Sequence, residues 1–204
     1  MKSIIKPLAR VSAALLIASA AGSALAADAA RVEEIVQGKC FICHGMEGES
    51  SSPLFPRLAG QHAAYIARQL SDYKSGRRVS SAMQPMVADL SESDFKALGA
   101  FFESRKPEPH AVEDAELARV GQFIYARGNP FSGVAACSAC HGPTGNGSEK
   151  LPRLAGQHAR YIENQLKAFN KRERTNDNAV MHLVASKLTE LEIKAVSAYV
   201  SGLP

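Results

Sequence analysis

Two short stretches of the sequence contain residue types whose spacing suggests a defined chemistry. "CFICHG" begins at Cys40 and "CSACHG" begins at Cys137, so the C-x-x-C-H pattern occurs twice. Two cysteines three residues apart on one helical turn can form thioether bonds to the vinyl groups of a haem, and the next histidine then points at the iron. The pattern therefore predicts two covalently bound haem c groups. The predicted attachment residues are Cys40, Cys43, Cys137 and Cys140, and the predicted iron ligands from the motifs are His44 and His141.

Other uses of these cysteines explain less of the pattern. A thioredoxin-like redox pair needs a neighbouring βαβ unit, and the chain shows no stretch with the period of a strand. A structural zinc site would combine both cysteine pairs into one cluster and leave His44 and His141 without a role. Disulfides within each pair would suit an oxidising compartment, but they do not require a histidine after each pair.

The two motifs stand at equivalent places in an internal repeat. "PRLAGQHAAYIARQL" at 56–70 and "PRLAGQHARYIENQL" at 152–166 differ at three of fifteen positions. The repeat predicts a duplicated domain, with an N-terminal domain at 27–106, a linker at 107–111 and a C-terminal domain at 112–204. Pro107 and Pro109 in the linker disfavour helix and favour extended chain.

The first 26 residues have the organisation of a secretory signal. Lys2, Lys6 and Arg10 precede an apolar run that ends in the small residues of an A-x-A cleavage site. We therefore predict cleavage after Ala26 and an exported protein. Retention as an anchor, with loose membrane association, stays an alternative, although the apolar run over residues 11–26 is shorter than the ~20 residues of a membrane span.

The charge of the mature chain excludes one class of partner. Of the 24 basic and 20 acidic residues, three basic and no acidic ones lie in the first 26, so the mature net charge is +1 rather than +4. A near-neutral chain lacks the basic surface of a nucleic-acid binder. The short basic stretches "KSGRR" (74–78) and "NKRER" (170–174) are expected to be solvated helix ends.

The elements that must position the motifs are predicted to be helices, which makes the fold all-α. Ser91-x-x-Asp94 and Thr189-x-x-Glu192 are capping boxes that begin the last helix of each domain. Apolar residues at helical spacing behind each box predict the face that is buried. These residues are Phe95, Leu98 and Phe102 in the first copy and Ile193, Val196 and Val200 in the second.

The second axial ligand of each iron decides what the haem can do. An open position would allow gas binding or peroxide chemistry, whereas a methionine ligand saturates the iron and suits electron transfer. Met181 lies seven residues before Leu188, and Met83 lies seven before the equivalent Leu90. The repeat therefore predicts Met83 and Met181 as the second ligands.

Other side chains compete less well for this role. Met86 aligns with Val184 and is expected to fill the core, while Met46 is tethered next to its motif histidine. His182 is an alternative to Met181, but its counterpart Gln84 is not a comparable ligand. His62 and His158 begin helices and are interpreted as helix-terminus or surface groups.

Several residues are candidates for the surroundings of each haem. The carbonyl groups of Pro56 and Pro152 are candidate acceptors for the second ring nitrogen of each motif histidine. Arg57 and Arg153 are candidate contacts for the haem propionates. Two tyrosine–glutamine pairs one helical turn apart place polar tips on one helix face, although ordinary packing explains them equally well. These pairs are Tyr65 with Gln69 and Tyr161 with Gln165.

The paired motifs, each followed by "PRLAGQ", a helix and a methionine before a capped last helix, resemble the diheme cytochromes c4. The resemblance covers the mature chain. It implies two class I cytochrome c domains related by a pseudo-twofold axis, ligated by His44 and Met83 and by His141 and Met181. Class I domains pack a glycine of the first helix against an aromatic residue of the last. Gly121 fits this pattern, but the first helix of the N-terminal domain has no equivalent glycine.

The resemblance also implies a function in the periplasm. The chain is expected to carry single electrons from a donor, such as a quinol-oxidising complex or a dehydrogenase, towards a terminal oxidase. It is not expected to be an enzyme. The alternatives are a cytochrome subunit of a larger dehydrogenase and a diheme peroxidase, of which the second needs an iron with an open position. The order of the two reduction potentials does not follow from the sequence.

Overall fold

The computed structural model describes residues 29–204, so the predicted signal segment 1–26 lies outside the described residues. Within this range the regular structure is helical, and β-pairing is limited to two isolated bridges, Asn129 with Val134 and Ser148 with Leu151. None of the described helices is both long and apolar enough to cross a membrane.

The helices have the same order in both halves of the chain. In the N-terminal domain they are α1 (29–44, with a π-helical turn at Val36–Cys40 and a last turn at Phe41–His44), α2 (Ala63–Lys74), α3 (Met83–Val87) and α4 (Glu92–Glu103). In the C-terminal domain they are α5 (Ala115–Arg127), α6 (Ser138–His141), α7 (Ala159–Asn170), α8 (Val180–Ala185) and α9 (Glu190–Ser201).

Each half builds its own hydrophobic core, and the predicted buried faces are confirmed. Phe95, Leu98 and Phe102 of α4 pack with Val32 and Ile35 of α1. The equivalent residues of α9, Ile193, Val196 and Val200, pack in the second core with Ile124 of α5 and Ile162 of α7. The last helices thus use the same positions of the repeat to form both cores.

The last helix of each domain begins at a capping box, as predicted. The Ser91 hydroxyl accepts from the backbone N–H of Asp94, whose carboxylate accepts from the backbone N–H of Ser91. Thr189 and Glu192 make the same reciprocal pair. These bonds satisfy backbone donors that a helix start leaves without intrahelical partners.

The first and last helices approach each other differently in the two domains. A Cβ atom at Gly121 of α5 would lie 1.9 Å from the carbonyl oxygen of Ala195 in α9, so only glycine allows this contact. Aligning the buried Ile35 with Ile124 places Val32 opposite Gly121. There α1 and α4 leave an open groove of about 460 Å³ whose lining includes Val32 and Phe101. The difference expected from the missing glycine is present.

The linker is held against the N-terminal domain. A Cβ atom at Gly60 would lie 2.5 Å from Cγ of Pro107, and one at Gly202 would lie 2.0 Å from Cγ2 of Val112. The carboxylate of Glu49 accepts from the backbone N–H of Glu108 at 3.0 Å. The contacts of Pro107 and Glu108 therefore hold the linker on the N-terminal domain, while Val112, the first residue after the linker, packs against the end of the C-terminal domain.

Candidate haem sites

The C-x-x-C-H motifs lie at the ends of short helical turns. His44 is the last residue of α1 and His141 is the last residue of α6. The next residues, Gly45 and Gly142, have φ values of 74° and 77°, which turn the chain away from the helix axis in a conformation that suits glycine. The sequence order of each motif thus places its histidine at a sharp exit from a helix.

Both motif histidines are buried and oriented by a proline carbonyl. Nδ1 of His44 lies 2.9 Å from the carbonyl oxygen of Pro56, and Nδ1 of His141 lies 3.2 Å from that of Pro152. An N–H donated to a carbonyl fixes the tautomer and leaves the other nitrogen with its lone pair. Burial lowers the pKa of both imidazoles, although each carbonyl opposes the shift. The neutral ring that iron ligation requires is therefore favoured at both sites.

The four motif cysteines, all of which are described, form no disulfide with one another. Burial raises the pKa of Cys40 and of Cys137 to about 11, so both favour the neutral thiol. Residues 29–204 contain no group of three or more side chains that could hold a metal ion by themselves. The donor set therefore fits covalent haem attachment better than a zinc cluster.

Met83 and Met181 occupy equivalent places at the starts of short helices. Met83 is the first residue of α3 and Met181 is the second of α8, and each half-buried side chain packs against its own domain core. Nδ1 of His182 lies 3.0 Å from the carbonyl oxygen of Phe169, which engages one nitrogen of that ring. Of the two neighbours, Met181 is the one that packs on the core.

Met86 does not have the core position that the repeat predicted. Its side chain is 38% exposed, while Val87 of the same helix is 1% exposed. Met83 and Val87 are four residues apart, so they share the inward face of α3, and Met86 lies on another face. The repeat aligns Met86 with the half-buried Val184, and the two positions differ in exposure although both helices turn the same face inwards, since Val87 and its counterpart Ala185 are both buried.

The side chains of two glutamines join the domains by bonding to backbone groups of the opposite domain. The side-chain amide of Gln61 donates to the carbonyl of Arg153 and accepts from its N–H, both at 2.9 Å. The amide of Gln157 makes the same pair of bonds with Arg57, again at 2.9 Å. The repeated "PRLAGQ" segments therefore bind each other across the domain boundary in a reciprocal, twofold-like arrangement.

The arginines predicted to contact propionates have protein partners at this boundary. Nε of Arg57 lies 3.3 Å from the Glu49 carboxylate, and its Nη1 donates to the carbonyl of Gly156. Nη1 of Arg153 donates to the side-chain oxygen of Asn146. These bonds use only part of each guanidinium, so the propionate contacts stay a prediction.

The two helix-start histidines also bridge the boundary. Nε2 of His62 lies 2.7 Å from the carbonyl oxygen of Asn146, and Nε2 of His158 lies 2.8 Å from that of Ser50. Both residues are N-caps, of α2 and α7, which agrees with their interpretation as helix-terminus groups. Their interdomain contacts carry no signal in the sequence.

Two arginines that were expected to be solvated are buried instead. Arg78 of "KSGRR" is 7% exposed and Arg174 of "NKRER" is 9% exposed. Each guanidinium binds a tyrosine and a glutamine of the other domain, which explains the polar tips on α2 and α7. Sequence reasoning missed these residues because charge runs are usually solvated. The tyrosine–glutamine pairs repeated in both domains were the only available signal.

Known proteins match the chain in both halves. A family model described as cytochrome c matches residues 121–204, and one described as cytochrome C oxidase, cbb3-type, subunit III matches residues 27–102. A cytochrome c4 of Thiocapsa roseopersicina is 43% identical over 175 residues, which cover 84% of this chain and 90% of the relative.

Two further relatives extend this likeness. The crystal structure of reduced cytochrome c4 from Pseudomonas stutzeri superposes with a TM-score of 0.79 at 38% identity, covering 84% of this chain and 98% of that one. A protein of Stutzerimonas stutzeri (strain A1501) named thiosulfate dehydrogenase electron acceptor is 37% identical, covering 100% of this chain and 97% of the relative.

A helical fold that presents two C-x-x-C-H motifs, each with its histidine bound to a proline carbonyl, defines a c-type cytochrome. Within that class, the chain belongs to the diheme cytochrome c4 family, with two class I cytochrome c domains. It is a diheme electron carrier, and its cofactors are two covalently bound haem c groups.

Proposed function

We propose that the protein is a periplasmic carrier that passes single electrons along a respiratory chain towards a terminal oxidase. The secretory pattern of residues 1–26 supports export. The near-neutral mature charge argues against long-range electrostatic steering as the means of finding partners.

The proposed haem sites use one set of residues from each domain. Cys40 and Cys43 bind the first haem, with His44 and Met83 as iron ligands. The second site has the same composition and order along the chain. It consists of Cys137, Cys140, His141 and Met181.

One observation carries the choice of electron transfer over catalysis. In both domains a carbonyl-oriented histidine and a core-packed methionine stand at equivalent places, so neither domain is distinguished as the one with an open iron. The bound haem supplies the one-electron couple. The chain would contribute the imidazole fixed by a proline carbonyl and the methionine sulfur that packs on each domain core.

Optical spectra of the holoprotein test the ligand assignment. We expect a weak absorption band near 700 nm, which is typical of cytochromes with histidine and methionine as iron ligands. Its intensity should correspond to both haems. Met83→Ala should remove half of this band, and Met181→Ala the other half. Met86→Leu is the matched control and should leave it unchanged. A high-spin fraction in the unmodified protein, or peroxide turnover, would favour the diheme peroxidase instead.

A second candidate concerns the electron donor. A relative that matches the whole chain at 37% identity is named a thiosulfate dehydrogenase electron acceptor, so a dehydrogenase donor is a specific alternative to a quinol-oxidising complex. Stopped-flow mixing of the oxidised protein with each purified donor would separate the two. Rapid reduction by the dehydrogenase alone favours a dehydrogenase-linked role, and rapid reduction by the quinol-oxidising complex alone favours the respiratory one.

A further inference from the structure

A short loop of the C-terminal domain presents a phenylalanine to solvent. Phe131 is 100% exposed, the highest value among the large apolar side chains of residues 29–204, in which Ile42 at 79% comes next. Single exposed apolar residues are common on protein surfaces, so exposure alone does not indicate a site. What distinguishes Phe131 is the fixed shape and the position of the loop that carries it.

The loop, residues 128–134, is closed by its own backbone. Asn129 and Val134 exchange both backbone N–H to carbonyl bonds at 2.9 Å, as at the end of a short hairpin. A Cβ atom at Gly128 would lie 2.2 Å from the carbonyl oxygen of Val134, so only glycine fits this closure. The backbone N–H of Phe131 donates to the side-chain oxygen of Asn129 at 3.0 Å, which is a turn-forming bond. These bonds fix the tip from which Phe131 projects.

The segment around the start of the last helix anchors the loop to the rest of the domain. The side-chain amide of Asn129 donates to the carboxylate of Glu192 at 2.7 Å, and the ammonium group of Lys187 donates to the carbonyl of Gly133 at 3.0 Å. A contact residue that is already ordered in the free protein costs less entropy when it binds. The anchored loop meets this condition.

The loop exists in one domain only. Cys40 follows the buried Ile35 by five residues, whereas Cys137 follows the equivalent Ile124 by thirteen. In the N-terminal domain α1 continues directly into its C-x-x-C-H motif. In the C-terminal domain the loop ends at the buried Val134, which packs in the same core as Cys137 three residues later. The extra residues therefore lie beside the haem attachment residue of one domain.

Two cations flank the loop. Arg127 is the residue before it, and Lys187 binds its Gly133 carbonyl. In the described part of the chain neither cation forms an ion pair. The neighbouring carboxylate of Glu192 is used by Asn129 and by the cap of α9. An apolar tip between two such cations is complementary to an apolar pocket with carboxylates on its rim.

We infer that the loop is the docking site for an electron-transfer partner protein, whose surface has an apolar pocket for Phe131 and acidic groups around that pocket. The inference rests on the proposed function, since it requires that the protein exchanges electrons with another protein. An aromatic side chain that fills a pocket is the kind of residue that dominates the free energy of association. A partner held on the loop lies beside Cys137, so the exchange is assigned to the haem of the C-terminal domain.

Stopped-flow kinetics of the holoprotein test the docking site. The oxidised protein is mixed with a purified quinol-oxidising complex or with thiosulfate dehydrogenase, and the reduced protein with a purified terminal oxidase. Phe131→Ser should lower the second-order rate constant with at least one of these partners by about tenfold or more. If the unmodified protein exchanges electrons with none of them, the proposed function fails and this inference with it. If exchange is normal and Phe131→Ser leaves it unchanged, only the inference is wrong.

Matched variants separate docking from other effects. Val79→Ser removes an apolar side chain that is 72% exposed on the N-terminal domain and should leave every rate constant unchanged. Phe131→Leu keeps an apolar tip and should retain most of the rate. Reduction by ascorbate needs no docked protein, so Phe131→Ser should not alter its rate. Equal slowing by Val79→Ser, or equal slowing of the ascorbate reaction, would overturn the docking assignment.

The cations provide a second test through ionic strength. Arg127→Gln and Lys187→Gln should each lower the same rate constant about two- to threefold at low ionic strength and weaken its dependence on salt. Lys171→Gln is the matched control, since it removes an exposed charge of the same domain at the end of α7. An equal effect of all three substitutions would contradict the acidic rim.

A lipid surface is the other class of target for an exposed aromatic residue between cations. Sedimentation with vesicles of phosphatidylcholine and phosphatidylglycerol tests it on the holoprotein. Equal and weak sedimentation of the unmodified protein and Phe131→Ser supports the protein partner. Binding of the unmodified protein that Phe131→Ser abolishes would assign the loop to an anionic membrane and overturn the inference.

Discussion

The two domains share one fold but join its first and last helices in different ways. In the C-terminal domain α5 lies directly against α9 because Gly121 has no side chain to separate them. In the N-terminal domain Val32 stands at that position, and a groove of about 460 Å³ opens between α1 and α4. The comparison teaches that the close helix contact is one solution for this fold rather than a requirement of it.

The approaches to the two methionines differ in a similar way. The segment from Arg78 to Met83 is two residues shorter than the segment from Arg174 to Met181. In the longer segment Asn178 and Ala179 have φ values of 52° and 67°, in the left-handed region that non-glycine residues disfavour. The described part of the N-terminal domain has no such residue, so local strain is concentrated beside Met181.

The largest effect is expected at the helix contact. Gly121→Ala should lower the free energy of unfolding by about 3 kcal/mol, because the new Cβ meets backbone atoms of α9 that cannot rotate away. Gly38→Ala is the matched control in α1, where a Cβ atom meets nothing within 4 Å, and it should be neutral or slightly stabilising. Guanidinium titrations followed by circular dichroism measure both, and equal effects would contradict the asymmetry of the helix contacts.

Removal of a capping hydroxyl is predicted to cause a smaller loss of stability, equal in the two domains. Ser91→Ala and Thr189→Ala each remove a hydroxyl that accepts from the third residue of the helix, at a cost of about 1 kcal/mol. Thermal melting of the two variants measures the loss. A cost confined to one domain would show that the symmetric caps are not energetically equivalent.

The strained segment before Met181 predicts that the same substitution, alanine to glycine, changes the stability in opposite directions at two matched positions. Ala179→Gly should stabilise the protein by up to about 1 kcal/mol because glycine adopts the left-handed conformation freely. Ala82→Gly, at the equivalent start of α3 where φ is −79°, should destabilise it by about 0.5 kcal/mol. Denaturant midpoints measure both changes, and destabilisation by both would remove the argument for strain.

The smallest expected effect is on the pH dependence of the unfolding free energy, and it compares the capping carboxylates of the two domains. The backbone N–H of Ser91 lowers the pKa of Asp94, and that of Thr189 lowers the pKa of Glu192. A depressed folded-state pKa contributes stability above the unfolded value near pH 4, and that contribution is lost as the pH falls through the folded value. Unfolding free energies between roughly pH 5 and pH 2 should therefore fall less steeply in Asp94→Asn and Glu192→Gln than in the unmodified protein. Parallel slopes would contradict the prediction.

Local spacing was sufficient to predict much of the haem surroundings. The proline carbonyls that orient His44 and His141 follow at 12 and 11 residues, and the capping boxes span three residues, so the short chain segments leave little freedom. The same reasoning predicted the buried faces of α4 and α9, because helical period fixes which side chains share a face.

Contacts between distant parts of the chain were beyond such reasoning. Arg78 meets Tyr161 across 83 residues and Arg174 meets Tyr65 across 109, and nothing near either arginine marks it as buried. Met86 was assigned wrongly to the core, since an equivalent position in the repeat does not guarantee equal burial: Met86 is 38% exposed, whereas its counterpart Val184 packs partly against its domain core. Tertiary packing, rather than local pattern, decides such positions.

The reciprocal glutamine bonds have a consequence for the origin of the chain. Gln61 binds the Arg153 backbone as Gln157 binds that of Arg57, so each surface is complementary to a copy of itself. This is the isologous geometry of a twofold symmetric homodimer. A single-domain ancestor that paired in this way would have kept its interface unchanged when gene duplication and fusion turned two subunits into one polypeptide.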